Sequence, residues 1–321
     1  MIKRFHSFVI SLLLVLIVGQ LCHAAALGGG ARAIGMGGAY TAVADDGAAA
    51  YWNPAGITQV KFGLMPTVGV QGKFGEIAKV MQGDLVDNFE GSLSLNAGVG
   101  LTFRHFAFNM FSDLNGHVDG HVAQSGNYQH QTMDAINQVA LSLAKEFTGL
   151  FAVGVNAKYV SYENLTKKLG LDGNSYGSDE NKGAGFAVDL GAMAKVGKLV
   201  RVGAVLKDYP LAKVKLDDGQ VYELPTRVAV GGAVKVPLLG TLVAVDLEKP
   251  FKGEEKDFRY RLGVEQPILG LIFLRAGGYQ AEEKFNLTAG FGLKLGPAVL
   301  DTAAALDKEN PVYQATLGLK F

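Results

Sequence analysis

Phe285-Asn286-Leu287-Thr288-Ala289-Gly290-Phe291-Gly292-Leu293-Lys294-Leu295 is the stretch whose reading decides the fold. Its apolar side chains fall on every second position, with Asn286, Thr288, Gly290, Gly292 and Lys294 between them. A period of two marks a β-strand with one apolar and one polar face. The run is also long. Strands in globular proteins average about 5–6 residues, whereas a strand that crosses a membrane needs about 9–11. The same alternation returns in Leu93 to Leu101, Phe186 to Val196, Val200 to Leu206 and Phe258 to Val264. Counting back from Phe321, Leu319, Leu317, Ala315 and Tyr313 face one way, while Lys320, Gly318, Thr316 and Gln314 face the other.

A soluble sandwich also alternates, so connections and charges carry the decision. Thr148-Gly149, Gly197-Lys198, Pro237 to Gly240, Pro267 to Gly270 and Gly296-Pro297 read as tight turns. Between them fall longer polar connections, among them Glu163 to Gly183 and Asp208 to Leu224. Short periplasmic turns alternating with longer extracellular loops belong to outer-membrane barrels. Lys158, Asp189, Arg201, Arg227, Lys235, Asp246, Arg259, Arg261 and Glu265 all stand opposite the apolar residues of their strands. A Lys or Arg on the lipid face at the midplane costs about 2–4 kcal/mol. Inverting these strands would therefore cost more than the ~5–15 kcal/mol of a typical domain. The sequence predicts an all-β protein: a transmembrane antiparallel β-barrel of about fourteen strands over 61–321, in the bacterial outer membrane with lipid around it. Pro66 should force a bulge in the first strand or a start beyond it, because proline lacks the ladder donor. Ile77, Val80, Met81, Leu85 and Phe89 recur at helical spacing and predict a short amphipathic helix at the rim. Asp217-Asp218-Gly219 reads as the tip of a small hairpin.

Residues 1–26 read as a cleaved signal peptide. Lys3 and Arg4 precede the apolar stretch Phe8 to Val18, and Ala24-Ala25-Ala26 offers a cleavage site. Removing the leader leaves 28 basic residues against 30 acidic ones and discards Cys22, the single cysteine. A charge so near balance gives no footprint for nucleic acid. The 43 glycines in 321 residues far exceed the usual share of about 7%.

From Leu27 to about residue 60 the pattern changes. Gly28 to Tyr40 is glycine-dense, Thr41-Ala42-Val43-Ala44-Asp45-Asp46 follows, and Tyr51-Trp52-Asn53-Pro54-Ala55-Gly56 closes the segment. Small residues let backbone approach a barrel wall closely. Ala48 to Trp52 reads as a helical turn with Asp45 and Asp46 at its N-terminus, stopped by Asn53-Pro54. Asp45 and Asp46 are carboxylates for a cation, but capping and pairing with lumen arginines is the more economical reading. The glycines are no dinucleotide cradle, since no strand precedes them and no βαβ unit follows.

The run Gly30-Ala31-Arg32, Gly35-Met36-Gly37-Gly38-Ala39-Tyr40, Ala44-Asp45-Asp46 and Trp52-Asn53-Pro54-Ala55-Gly56 resembles the N-terminal signature of PorV/PorQ-type outer-membrane proteins. These are similar to the FadL long-chain fatty-acid transporters and to TraF-like barrels. The resemblance implies a fourteen-stranded barrel with an N-terminal hatch inside the lumen, spanning 27–60. It makes Gly35, Gly37, Gly38, Asp45, Asp46, Asn53 and Pro54 hatch residues. The chain is shorter than typical fatty-acid transporters, with smaller extracellular loops.

His117-Val118-Asp119-Gly120-His121 aligns three metal-ligand types on one strand face, but its setting, Ser112 to Asn137, reads as a polar loop in which histidines are ordinarily solvated. No serine sits in a nucleophile turn, so the sequence predicts neither enzyme nor cofactor nor metal. The leading expectation is passive passage of small hydrophobic or amphipathic molecules, such as fatty acids, through a hatch-gated lumen. The alternative is a non-transporting partner of secretion-system proteins. The charges Asp189, Arg201, Arg227, Asp246, Arg259, Arg261 and Glu265 would either anchor a ligand carboxylate or salt-bridge the hatch, and pairing with the hatch is the stronger reading.

Overall fold

The computed structural model describes residues 29–72, 88–121, 128–170, 175–251, 258–281, 284–307 and 311–320. The leader, Leu27, Gly28, Phe321 and most of the expected rim helix lie outside them. Phe89, assigned above to that helix, belongs to a strand that begins at Asn88.

Period-two patterning yields strands throughout. They are β1 (Phe62–Gly72), β2 (Asn88–Phe103), β3 (Phe106–His121), β4 (Tyr128–Phe147) and β5 (Phe151–Gly170). Next come β6 (Ser175–Val196), β7 (Val200–Leu216), β8 (Val221–Tyr222), β9 (Arg227–Lys235) and β10 (Leu242–Pro250). The last are β11 (Arg259–Ile268), β12 (Ile272–Ala281), β13 (Lys284–Leu295), β14 (Ala298–Ala305) and β15 (Val312–Lys320). Each pairs antiparallel with its neighbour, and β15 returns to β1. Among the described residues the short β8 pairs with β7 alone and completes the hairpin around Asp217-Asp218-Gly219, while β7 continues to β9. The result is a closed barrel of fourteen strands plus β8.

Three expectations change. The polar stretches Ser112–Asn137 and Glu163–Gly183 are mostly strand, so His117, Asp119 and His121 lie on β3; the side chains of Asp119 and His121 are outside the described set. β5 and β6 reach 20 and 22 residues, with Glu163 opposite Lys182. Once a ribbon leaves the bilayer both faces meet water, so the ladder persists while the hydrophobic alternation that reveals it disappears. Finally, β1 passes through Pro66 without a bulge. Pro66 pairs across to Val99 of β2, and the pairing with β15 lapses at Met65 and Pro66 and resumes in the same register at Thr67. The register shifts instead along β6–β7, where Asp208 takes φ +60°.

Leu141, Phe186, Leu190, Val230, Leu262, Leu287 and Leu317 are exposed on the outer wall. Ser142, Asn156, Asp189, Asp246, Arg261 and Thr288 are buried inside. A closed ladder with an apolar exterior satisfies backbone polar groups in lipid, and this is a bacterial outer-membrane β-barrel.

Residues 29–60 form α1 (Ala31–Gly35), α2 (Ala49–Trp52) and a 3₁₀ helix (Pro54–Gln59). α1 lies against β12–β15, whereas the 3₁₀ helix lies against β4–β6. The segment therefore crosses the lumen. Ala39, Tyr40, Ala42, Val43, Ala44 and Ile57 are fully buried. Pro54 does not simply stop α2. It opens the 3₁₀ helix, with Asn53 Oδ1 accepting from the Ala55 amide at 3.1 Å.

Candidate functional site

The candidate site is the lumen around the crossing segment, fastened by one arginine above all. Arg32 of α1 donates through Nε and Nη2 to Glu265 of β11 at 2.8 and 2.9 Å. Its Nη1 reaches Asp45 at 2.6 Å, Asp46 at 3.2 Å and the Tyr40 hydroxyl at 2.9 Å. Glu265 also accepts from Arg275 Nε at 2.7 Å, and Arg275 Nη1 continues to Asp301 at 2.7 Å. Arg201 of β7 meets Asp45 from the other side at 3.0 Å. Burial pushes the Asp45 carboxyl upward, but Arg32, Arg201 and Lys320 outweigh it and hold the group well below the usual carboxylate range. Burial lifts the Tyr40 phenol well above its ordinary value; Arg32 opposes this, and Asp46 and Asp45 add to it. Tyr40 thus stays protonated and donates to Asp46.

Backbone contacts supply the second fastening. Asp246 of β10 accepts both the Tyr40 and Thr41 amides, at 2.9 and 2.8 Å. Asn53 Nδ2 donates to Thr41 O at 2.9 Å and to Ala192 O of β6 at 3.1 Å. Wall and segment approach closely through glycines. A Cβ on Gly203 would stand 2.5 Å from Thr41 O, one on Gly277 2.5 Å from the Gly37 amide, and one on Gly154 2.4 Å from the Pro54 carbonyl carbon. Gly35 and Gly290 oppose each other in the same way, and Gly37 and Gly38 take φ +63° and +73°.

Trp52 donates Nε1 to Gly29 O at 2.7 Å and lies between Tyr40 and Tyr51, ring centroids 5.8 and 5.5 Å away. Tyr51 packs edge-on to Phe111, 5.0 Å between centroids. The Lys207 ammonium sits 4.0 Å above the Tyr51 ring and Arg261 lies over Trp52. On this loop side a cleft of only about 40 Å³ is lined by Tyr51, Asn109, Phe111, Asn156, Lys207 and Arg227. On the tight-turn side a larger cavity, about 360 Å³, lies beneath Arg32, Asp45 and Asp46, walled by Met65, Phe273 and Val299.

Of the lumen charges singled out from sequence, Arg201, Asp246, Arg261 and Glu265 meet the crossing segment. Asp189, Arg227 and Arg259 do so through none of the ion pairs described here: Asp189 pairs with Lys158 at 2.6 Å, Arg227 with Asp208 at 3.1 Å, and Arg259 approaches Glu248 at 3.8 Å. Asp45 and Asp46 face Arg32, a residue of their own segment, as well as the wall. Arg32, present above only as part of the family signature, and Arg275, Glu248, Asp301 and the wall glycines were not among the expected site residues. Strand parity marks Glu248, Arg275 and Asp301 as inward-facing, and that signal was available.

A closed barrel whose lumen is crossed by its own N-terminal segment defines the class: an outer-membrane β-barrel with an occupied lumen. Residues 63–246 match the family described as F plasmid transfer operon, TraF, protein. The chain belongs to that family. No curated protein matches the sequence. Among solved structures, the Ralstonia pickettii toluene transporter TbuX is 16% identical with a TM-score of 0.65, over 92% of this chain and 99% of that one. The P. putida toluene transporter TodX gives 14% and 0.63, over 92% and 99%. A Pseudomonas aeruginosa FadL homologue gives 10% and 0.60, over 95% and 100%. These similarities are of fold.

Proposed function

We propose that this barrel lets small hydrophobic or amphipathic molecules, fatty acids among them, cross the outer membrane down their own gradient, with residues 27–60 acting as a hatch. One observation carries the reading: the crossing segment is held to the wall by side-chain pairs and glycine contacts, with no strand ladder joining it to the wall among the described residues. A segment fastened in that way can shift as a unit. Gly35, Gly37 and Gly38 give it close contact, Asp45 and Asp46 its latch to Arg32 and Arg201, and Asn53 and Pro54 its seat against β5 and β6. The toluene transporters and the FadL homologue that share the fold support the substrate class by analogy. Within this reading Arg201, Asp246 and Glu265 hold the hatch rather than a ligand carboxylate. Asp189, Arg227, Arg259 and Arg261 belong to ion pairs of the wall.

Uptake of a labelled long-chain fatty acid or an aromatic hydrocarbon into liposomes, with the intact barrel and with one lacking residues 27–59, tests the reading. Uptake that needs the segment supports a gated path. No uptake by the intact barrel, with a general leak once the segment is removed, would sink it. The Arg259→Gln/Arg261→Gln double variant should keep its uptake; loss of uptake with an undisturbed hatch would restore the carboxylate-anchor role.

A second reading, a non-transporting partner of secretion-system proteins as the PorV/PorQ resemblance implies, draws on the loop side. There Leu224 and Tyr222 pack against Val160, Ala187 and Ile136, and Tyr162 stacks on Tyr222, 4.3 Å between centroids.

A further inference from the structure

The tight-turn end of the barrel is strongly basic. Lys61, Arg104, Lys198, Lys235, Lys294 and Lys320 are exposed there. Glu146, the acid at that rim, is already engaged by Lys195 at 3.2 Å and by Arg104 at 3.7 Å. The opposite end carries Asp179, Glu180, Asp217, Asp218 and Glu223 among its lysines. Among the described residues the tight-turn end is therefore the more basic of the two, although the chain as a whole is near neutral.

Strand parity says where these cations point. Lys235, Lys294 and Lys320 alternate with the exposed apolar residues Val234, Leu295 and Leu317. Successive side chains of a strand face opposite ways, so the ammonium groups turn toward the mouth of the lumen and away from lipid. Lys294 and Lys320 border the cavity of about 360 Å³ beneath the crossing segment. Met65, Phe273 and Val299, on the inward face of their strands, give that cavity an apolar wall. The charges of its ceiling are already paired, Arg32 with Asp45 and Asp46, Arg201 with Asp45, and Arg275 with Glu265. Lys198, Lys235 and Lys294 make no ion pair among the described residues. A mouth ringed by cations, with an apolar recess at one side, complements an acidic chain carrying one bulky apolar side chain.

We infer that the tight-turn mouth is a docking site for an acidic, extended segment of a periplasmic protein, which places an apolar side chain in the recess and its carboxylates on Lys235, Lys294 and their neighbours. Anionic lipid headgroups fit less well, because the inward parity of Lys235 and Lys294 turns them from the bilayer. The recess lies directly under Asp45 and Asp46, so an occupant would touch the crossing segment from below. The inference stands apart from the transport reading and survives its failure.

The test is fluorescence anisotropy of a short labelled peptide of glutamates around one phenylalanine, added to the full-length barrel in neutral detergent. Binding should weaken with salt and vanish when glutamine replaces glutamate. Lys235→Gln/Lys294→Gln should weaken it by about tenfold, from two partly exposed charge pairs. Lys61→Gln/Lys198→Gln provides an independent pair at the same rim, with a smaller loss expected. Lys213→Gln/Lys215→Gln, at the other end, should change nothing. Equal binding of the glutamine peptide would overturn the inference, as would indifference to both rim pairs. So would displacement of the peptide by phosphatidylglycerol nanodiscs, which would mark a headgroup site instead.

Discussion

Arg32 on the crossing segment and Glu265 on β11, 233 positions apart in the chain, meet through two hydrogen bonds of 2.8 and 2.9 Å. Two parallel N–H···O contacts fix both distance and plane, which a lysine at the same place would not do. Because Arg32 also holds Asp45 and Asp46, this one guanidinium ties three parts of the lumen together.

Arg32→Gln or Glu265→Gln should free the segment while leaving the barrel folded. Removing one member of a fully buried isolated pair costs about 3–5 kcal/mol; the loss should be smaller here, because Glu265 keeps Arg275 and Asp45 keeps Arg201. Limited proteolysis with mass spectrometry should then find cleavage within residues 29–60, with heat-dependent gel mobility of the barrel retained. Equal protection in wild type and both variants would show that Arg32 is not the fastening. The double variant Arg32→Met/Glu265→Leu should lie closer to wild type than either single change.

Wall glycines give a second handle. Gly203→Val should push against Thr41 O, and Gly277→Ala against the Gly37 amide, since a Cβ at either place would stand 2.5 Å from backbone. Trp52 is the sole tryptophan of the chain, only 4% exposed, so its emission reports the segment directly. Both variants should shift it to the red. Gly232→Ala, which meets nothing within 4 Å, should leave it unchanged.

Acid should loosen the latch late. Burial raises the Asp45 carboxyl, yet Arg32, Arg201 and Lys320 prevail and depress its folded value well below the usual range. A depressed carboxylate contributes stability that is present above its unfolded value of about 3.9 and is lost as pH falls toward the folded value. The difference in Trp52 emission between wild type and Asp45→Asn should therefore stay flat from neutral pH down to about 4 and change only below it. A transition of that difference centred near neutrality would contradict the assignment.

Two turns store strain that substitution can release. Leu269 sits at φ +52° before Gly270 at +70°, and Leu238 at φ +68°. Both leucines are almost wholly exposed. Left-handed backbone costs a branched residue about 1–2 kcal/mol, whereas glycine and asparagine adopt it readily. Leu269→Asn should stabilise the barrel by about 1 kcal/mol in urea unfolding from lipid vesicles. A loss of stability would mean that the leucine itself makes a compensating contact with lipid or a partner.

Alternation, strand length and charge parity in the sequence by themselves determined an all-β transmembrane barrel of fourteen strands, because lipid on one side imposes a period of two on every strand. The same parity put Asp246, Arg261 and Glu265 inside. Where that constraint ends, legibility ends: the ribbons of β5 and β6 beyond the bilayer read as loop, since water on both faces erases the period. Pro66 read as a break because a single sequence does not say which neighbour would receive its missing donor. The path of residues 29–60 across the lumen, the pairing of Arg32 with Glu265, and the match of Gly203 to Thr41 were decided only by tertiary structure. Each joins residues far apart in the chain, and no local pattern encodes which inward-facing group a given arginine or glycine will meet.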